Sequence, residues 1–262
     1  EAGIILENLR NNFAVEEQAE ITFELNPDDV SAAYMKDLHA LGINRISMGV
    51  QSWYDEDLKM LNRRHNSEQA RLAIEMASAA GFKNITIDLI YGIPGMSPEK
   101  WEENLNRSLK TEITHLSAYH LTIEPGTVFE KMKEKNLLQE IDEDDSNAQF
   151  NLLIEMTESA GFIQYEISNF GKPGYFSVHN TNYWKQVPHL RLGPSAHSFN
   201  RYSRQWNVRD VRKYIKYAGS AREYYEREEL GLKTKFNEYV MTSLRTMWGI
   251  DLEYVEKTFE KE

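Results

Sequence analysis

Polar and apolar residues alternate with a period of two in three early segments of the chain. In EITFELN (20–26), Thr22 and Glu24 fall on one side of an extended backbone and Phe23 and Leu25 on the other, the pattern of a strand. INRISMGV (43–50) and NITIDLIYG (84–92) repeat it. The stretches between have helical spacing. SAAYMKDLHALG (31–42) and SEQARLAIEMASAAG (67–81) each open on a serine suited to cap a first turn and close on a glycine suited to end a helix. SPEKWEENLNRSL (97–109) starts with a capping serine and then a proline, whose missing N–H costs nothing in a first turn. HLSAYHLTIEPG (115–126) predicts a fourth strand. Four successive strand–helix units predict a parallel sheet, open or rolled into a barrel; both arrangements put functional side chains at the C-terminal ends of the strands.

After residue 126 the rhythm changes. VFEKMKEKNLL predicts a charged helix, IDEDD a solvated acidic loop and SNAQFNLLIEMTESAG a long helix. FIQYEISNFGKPGYFSVHNTNYW reads as irregular and aromatic, LRLGPSAHSFN and YSRQWNV as short strands, and the remainder as helix. The change places a boundary near residue 170, so that residues 1–170 form an α/β domain and 171–262 a smaller α+β domain.

Composition narrows the classes of function. A chain of 262 residues with 41% hydrophobic content is long enough to bury a full core. A net charge of -11 argues against a nucleic-acid partner, because phosphate binding needs clustered lysine and arginine. No apolar run reaches the roughly 18 residues of a membrane span, and the opening EAGIILENLRNNF has neither a basic start nor a small-residue cleavage site, so a cytoplasmic location is expected. Zero cysteines exclude disulfides, thiolate catalysis and thiolate ligation of iron or zinc by this span.

Several residues could carry chemistry. Glu24 and Asp88 are carboxylates near the ends of predicted strands, where a buried charge is costly unless it is paired or bonded. Gln51 follows a strand, and its amide offers a donor and an acceptor suited to a diol. Arg63 lies about one helix later, with a fork suited to a carboxylate. HNTNYW (179–184) crowds a histidine, two asparagines, a tyrosine and a tryptophan into six positions, and reads as a binding site or as a turn. His197, in GPSAHS, is a further candidate.

Seven motifs occur in order: GVQS, LNRRH, DLIYGIPG, HLSAYHLTIEPGTVF, YEISNFGKPG, HNTNYW and LGPSAHSF. Together they resemble the radical S-adenosylmethionine proteins related to oxygen-independent coproporphyrinogen III oxidase, and within them the HemW-type haem chaperones, from about residue 20 onward. The resemblance implies a partial (β/α)6 barrel of which the four units would be the last four. It implies that Glu24 and Gln51 contact the ribose or amino group of S-adenosylmethionine, that Asp88 makes a further ribose contact, that Arg63 pairs with the carboxylate, and that Tyr119 faces the adenosine or the substrate cavity. It implies a four-iron, four-sulfur (4Fe–4S) cluster on a Cys-x3-Cys-x2-Cys loop, but this chain has no cysteine and no GGTP-like segment. Two strand–helix units bearing that loop are expected upstream.

HNTNYW matches the HN-x-x-YW motif of the haem-chaperone branch. By that resemblance His179 would ligate haem iron, Tyr183 and Trp184 would offer flat faces to the porphyrin, and Asn180 would fix a turn. The implied function is a haem-binding chaperone that delivers haem to acceptor proteins. The alternatives are oxygen-independent coproporphyrinogen III oxidase, which oxidatively decarboxylates two propionates, and a catalytically empty porphyrin-binding fragment.

Overall fold

In the computed structural model, which describes residues 1–220 and 224–259, the chain divides into two compact units, Glu1–Ser177 and Val178–Glu262. The first unit runs α1 (Ala2–Asn12), β1 (Thr22–Leu25), α2 (Ala32–Ala40), β2 (Arg45–Gln51), α3 (Asp55–Met60), α4 (Ser67–Ala79), β3 (Asn84–Tyr91), α5 (Pro98–Leu109) and β4 (His115–His120). It continues with α6 (Val128–Glu134), α7 (Glu143–Ser159), β5 (Ile163–Glu166) and β6 (Asn169–Gly171). The sheet order is β1-β2-β3-β4-β6-β5. The first four strands are parallel, as the strand–helix alternation predicts, and the sheet does not close on itself among the described residues.

Local signals set most of the boundaries. Ser31 Oγ accepts the Tyr34 N–H and Ser97 Oγ the Lys100 N–H, each satisfying an orphan donor of a first turn. Helix α4 starts one residue earlier than Ser67 suggests: Asn66 is its cap, with Gln69 completing a capping box. IDEDD is not a loop. Asp142 caps α7 and the next three acids fill its first turn, where the N-terminal end of the helix dipole favours negative charge.

The register sorts the side chains of the sheet onto two faces. Phe23, Ile46, Met48, Ile85, Ile87, Leu89, Leu116 and Phe170 pack on one face with helix residues Leu38, Ile74, Trp101 and Leu153 in a single apolar core. The other face carries Glu24, Arg45, Ser47, Thr86, Asp88, His115, Ser117 and Asn169. Parallel strands covered on both sides are normally apolar throughout. This sheet instead keeps one face polar, outside the apolar core.

The segment expected to be irregular after residue 162 supplies the β5–β6 hairpin, which joins β4 antiparallel. HNTNYW lies in helix α8 (Val178–Trp184), not in a turn, so Asn180 fixes no turn. The second unit goes on with β7 (His197–Phe199), β8 (Ser203–Asn207), α9 (Val211–Tyr217), β9 (Tyr225–Glu229), α10 (Leu232–Ser243) and α11 (Leu252–Phe259). Its three strands pair antiparallel in the order β7-β8-β9. Strand β9 corrects the expectation of helix for that stretch: its YEREE sequence carries charges on both faces and gives no apolar alternation. Positions 221–223 and 260–262 of the expected helix lie outside the described residues.

Helix α7 fixes the loop after β3. Buried Gln149 accepts the Gly92 N–H at 2.9 Å and donates to the Met96 carbonyl at 3.2 Å, while its own carbonyl accepts from Trp101 Nε1 at 2.8 Å. Replacing Gln149 with leucine keeps the bulk but leaves two buried backbone groups unpaired. The Gln149→Leu variant is expected to lose about 2–6 kcal/mol of stability in urea denaturation, at roughly 1–3 kcal/mol for each orphaned group. Wild-type stability in that variant would show that the two groups find other partners.

Candidate functional site

The C-terminal ends of β1, β2 and β3 bring Glu24, Gln51, Arg63 and Asp88 together. Glu24 sits opposite Ser47 across β1 and β2, and Ser47 opposite Thr86 on β3, two residues before Asp88 on the same face. Both Glu24 and Arg63 act electrostatically on the Asp88 carboxyl. Gln51 ends β2 at a shift in register, with a φ of 68° in the left-handed region that non-glycine residues rarely enter. That turn folds its amide back over Gly49: a Cβ built on Gly49 would lie 2.7 Å from Gln51 Nε2 and 4.0 Å from Arg63 Nη1. Glycine at 49 therefore makes the room in which the amide and the guanidinium approach each other. His65, two residues after Arg63, is buried with its Nε2 3.1 Å from the Val50 carbonyl, and desolvation lowers its pKa.

Among the described residues the Gln51 amide and the Arg63 guanidinium have no hydrogen-bond or ion-pair partner. Such groups are ordinarily paired when buried, and Gln51 is only 6% exposed. An amide, a guanidinium and two carboxylates converging without mutual pairing form a donor and acceptor set for a ligand with both cationic and anionic groups.

Asp88 lies at the centre. Desolvation, with Glu24 adding repulsion, pushes its pKa up to about 6, against the pull of Ser117, Arg63 and Arg45. Ser117 stands opposite it on β4 and donates to Asn169 Oδ1 at 2.8 Å, while Asn169 Nδ2 donates to Glu166. The single hydroxyl proton of Ser117 has two acceptors in reach, Asn169 and the Asp88 carboxylate. The Tyr119 phenol interacts with Ser117 and Asn169, and burial raises its pKa. Ser117 shares the parity of Tyr119 along β4, a signal the sequence contains. Asn169 carries no such signal, because its segment shows no clear strand pattern.

In the second unit, His179 and Tyr183 are four residues apart and share one face of α8. Arg191 Nη2 donates to His179 Nε2 at 3.2 Å. Tyr183 lines a cavity of about 1050 Å³ with His189, Arg191, His197, Trp206 and Met241. The His197 ring is stacked with that of Trp206, centroids 6.2 Å apart at 25°. Trp184 faces elsewhere: its ring stands edge-on to Tyr183 at 80° and lies under Arg245, 5.5 Å away. His179 and Tyr183 thus share a helix face, and the Trp184 ring meets that of Tyr183 edge-on, centroids 5.5 Å apart. Among the described residues no three histidine, aspartate or glutamate side chains are grouped to hold a metal ion, and no helix is long and apolar enough to cross a membrane.

Comparison with known proteins agrees with this partial α/β barrel. The sequence profile of the radical SAM superfamily matches residues 2–107. The heme chaperone HemW of Bacillus subtilis (strain 168) is 34% identical over 233 residues, 88% of this chain and 62% of that protein. HemW of Escherichia coli (strain K12) is 36% identical over 197 residues, 74% of this chain and 50% of its own length. The solved structure of coproporphyrinogen III oxidase (HemN) from Escherichia coli, a radical SAM enzyme, superposes with a TM-score of 0.81 at 22% identity, covering 99% of this chain and 62% of that one. The chain is thus similar to the radical SAM superfamily over residues 2–107 and, over most of its length, to HemW-type proteins. It spans less than two thirds of the length of these relatives.

The raised pKa of Asp88 has a stability consequence of definite sign. A carboxyl that holds its proton more tightly when folded stabilises the protein at low pH, and that stability is lost as pH rises from the ordinary 3.8 through about 6. Asp88→Asn removes the charge at constant shape. The variant is expected to exceed wild type by about 2–3 kcal/mol at pH 7.5, with the difference shrinking toward zero near pH 4, in thermal unfolding at both values. A difference that did not change with pH would exclude the Asp88 charge as its source.

Proposed function

We propose that the protein of which this chain forms a part is a haem-binding chaperone of radical SAM type, acting in the cytoplasm and passing haem to acceptor proteins. The observation that carries the reading is the presentation of His179 and Tyr183 on one face of α8, with Tyr183 on the wall of a cavity that also holds His197 and Trp206. Imidazole is a common axial ligand of haem iron, and aromatic side chains suit a porphyrin face. The relatives named heme chaperone support the same reading. Oxygen-independent coproporphyrinogen III oxidase remains the enzymatic alternative. The similarity to HemN is one of fold, and HNTNYW favours the chaperone.

In this reading Glu24, Gln51, Arg63 and Asp88 hold S-adenosylmethionine. The donor set fits: Arg63 would pair with the methionyl carboxylate, Gln51 and one carboxylate would take the ribose diol, and the nearby negative charge would favour a sulfonium cation. A bound cation would also stabilise the ionised form of Asp88, offsetting the cost of its burial. A 4Fe–4S cluster does not fit the residues present, because the chain has no cysteine, so no step through it is assigned to them.

Haemin titration followed at the Soret band tests the haem reading. Wild type is expected to bind one equivalent with a histidine-ligated spectrum. His179→Ala is expected to lose that spectrum and at least about tenfold in affinity, roughly 1.4 kcal/mol. If His179 serves only to engage Arg191, the variant will keep wild-type affinity and spectrum and differ only in stability, and the ligand role is then wrong.

A further inference from the structure

Arg191 joins the HNTNYW helix to the cavity. Its Nη2 donates to His179 Nε2, its guanidinium lies 5.8 Å from the Tyr183 ring centroid, and it forms part of the cavity wall. A guanidinium has only donors, so His179 Nε2 is the acceptor in this contact. The in-plane lone pair that receives the Arg191 proton is the one a metal would need, so that nitrogen cannot serve both at once. Arg191 has a further demand of its own: its Nε is buried and makes no hydrogen bond. A planar fork with an unused donor is matched by a carboxylate, which takes two parallel N–H bonds.

The wall carries four basic and four acidic side chains, and its basic ones differ in whether a carboxylate holds them. Arg204 is held by Glu228 at 3.3 Å and Glu238 at 2.8 Å. Arg191, Arg209 and Lys213 also line the cavity, and among the described residues none of them forms an ion pair. The two other acids of the lining are engaged: Asp210 accepts the Lys213 N–H at 2.7 Å as the cap of α9, and Glu226 accepts from Trp206 Nε1 at 3.2 Å. Three cations without carboxylate partners beside the stacked His197 and Trp206 rings suit a flat aromatic molecule with acidic side arms.

We infer that Arg191 is a carboxylate-binding latch on His179: it pairs with a carboxylate of the porphyrin edge and, in leaving the imidazole, frees Nε2 for iron. The inference rests on the haem reading above and adds to it a coupling between two recognitions. The acidic arm of the ligand must be in place before the histidine becomes available. A porphyrin without free carboxylates leaves Arg191 on His179 and stays weakly bound.

The test compares haemin with haemin dimethyl ester, in wild type, Arg191→Gln and Arg191→Lys. Wild type is expected to bind haemin about 30-fold more tightly than the ester, the size of one charge-assisted pair at about 2 kcal/mol. In Arg191→Gln the haemin affinity falls by about that factor, the preference for the free acid disappears, and the ester acquires the histidine-ligated Soret spectrum that it lacks in wild type. Arg191→Lys keeps the charge but not the fork, so it retains part of the preference and provides a folded control should the glutamine variant be damaged. Equal preference for the free acid in wild type and in both variants would overturn the latch while leaving haem binding intact. If neither porphyrin binds wild type, the haem reading itself fails, and the latch with it.

Discussion

The first unit depends on the burial of one face of a parallel sheet. Ile46, Met48, Ile85, Ile87, Leu89 and Leu116 are each 0% exposed, packed beneath the helices. Each such side chain removed from water contributes roughly 1.5–3 kcal/mol. Because side chains alternate along a strand, committing this set to the helices commits Ser47, Thr86, Asp88 and Ser117 to the opposite face, and a slip of one residue would exchange the two sets. The polar face is therefore held by the core beneath it. Its cost appears where Arg45 is buried: Thr86 and Asn84 accept from its guanidinium at 2.7 and 2.9 Å, Glu20 pairs with it at 3.6 Å, and desolvation still lowers its pKa.

The fold was legible in the sequence where local chemistry and burial agree. The alternation in NITIDLIYG and the caps at Ser31 and Ser97 each point to the element that forms. Legibility failed where partners far along the chain decide the outcome. The β5–β6 hairpin pairs with β4 through Ser117 and Asn169, 52 residues apart, and no local pattern announces it. Strand β9 is specified by its ladder with β8, since its own residues are mostly exposed and charged. For HNTNYW, asparagine and histidine weigh toward a turn, yet the stretch forms a helix that presents His179 and Tyr183 on one face.

The candidate site shows the same division. Glu24 and Asp88 were legible because a carboxylate at a strand end is conspicuous. Gln51 and Arg63 were legible as residue types, and the positive φ and the Gly49 gap that bring them together came from the structure. Arg191 could not be read at all. It directly precedes the LGPSAHSF motif but lies outside it, and its contact with His179 joins a helix to the segment leading into β7.

Gln51 carries a consequence for how its position can change. Left-handed backbone is easiest for glycine and tolerable for asparagine, so either replacement would ease the chain at this point. Glycine would remove the amide and asparagine would draw it back by one methylene, away from Arg63. Backbone comfort and side-chain reach thus pull in opposite directions at residue 51. The position is one where a sturdier scaffold and a longer side-chain reach call for different amino acids, and glutamine keeps the reach.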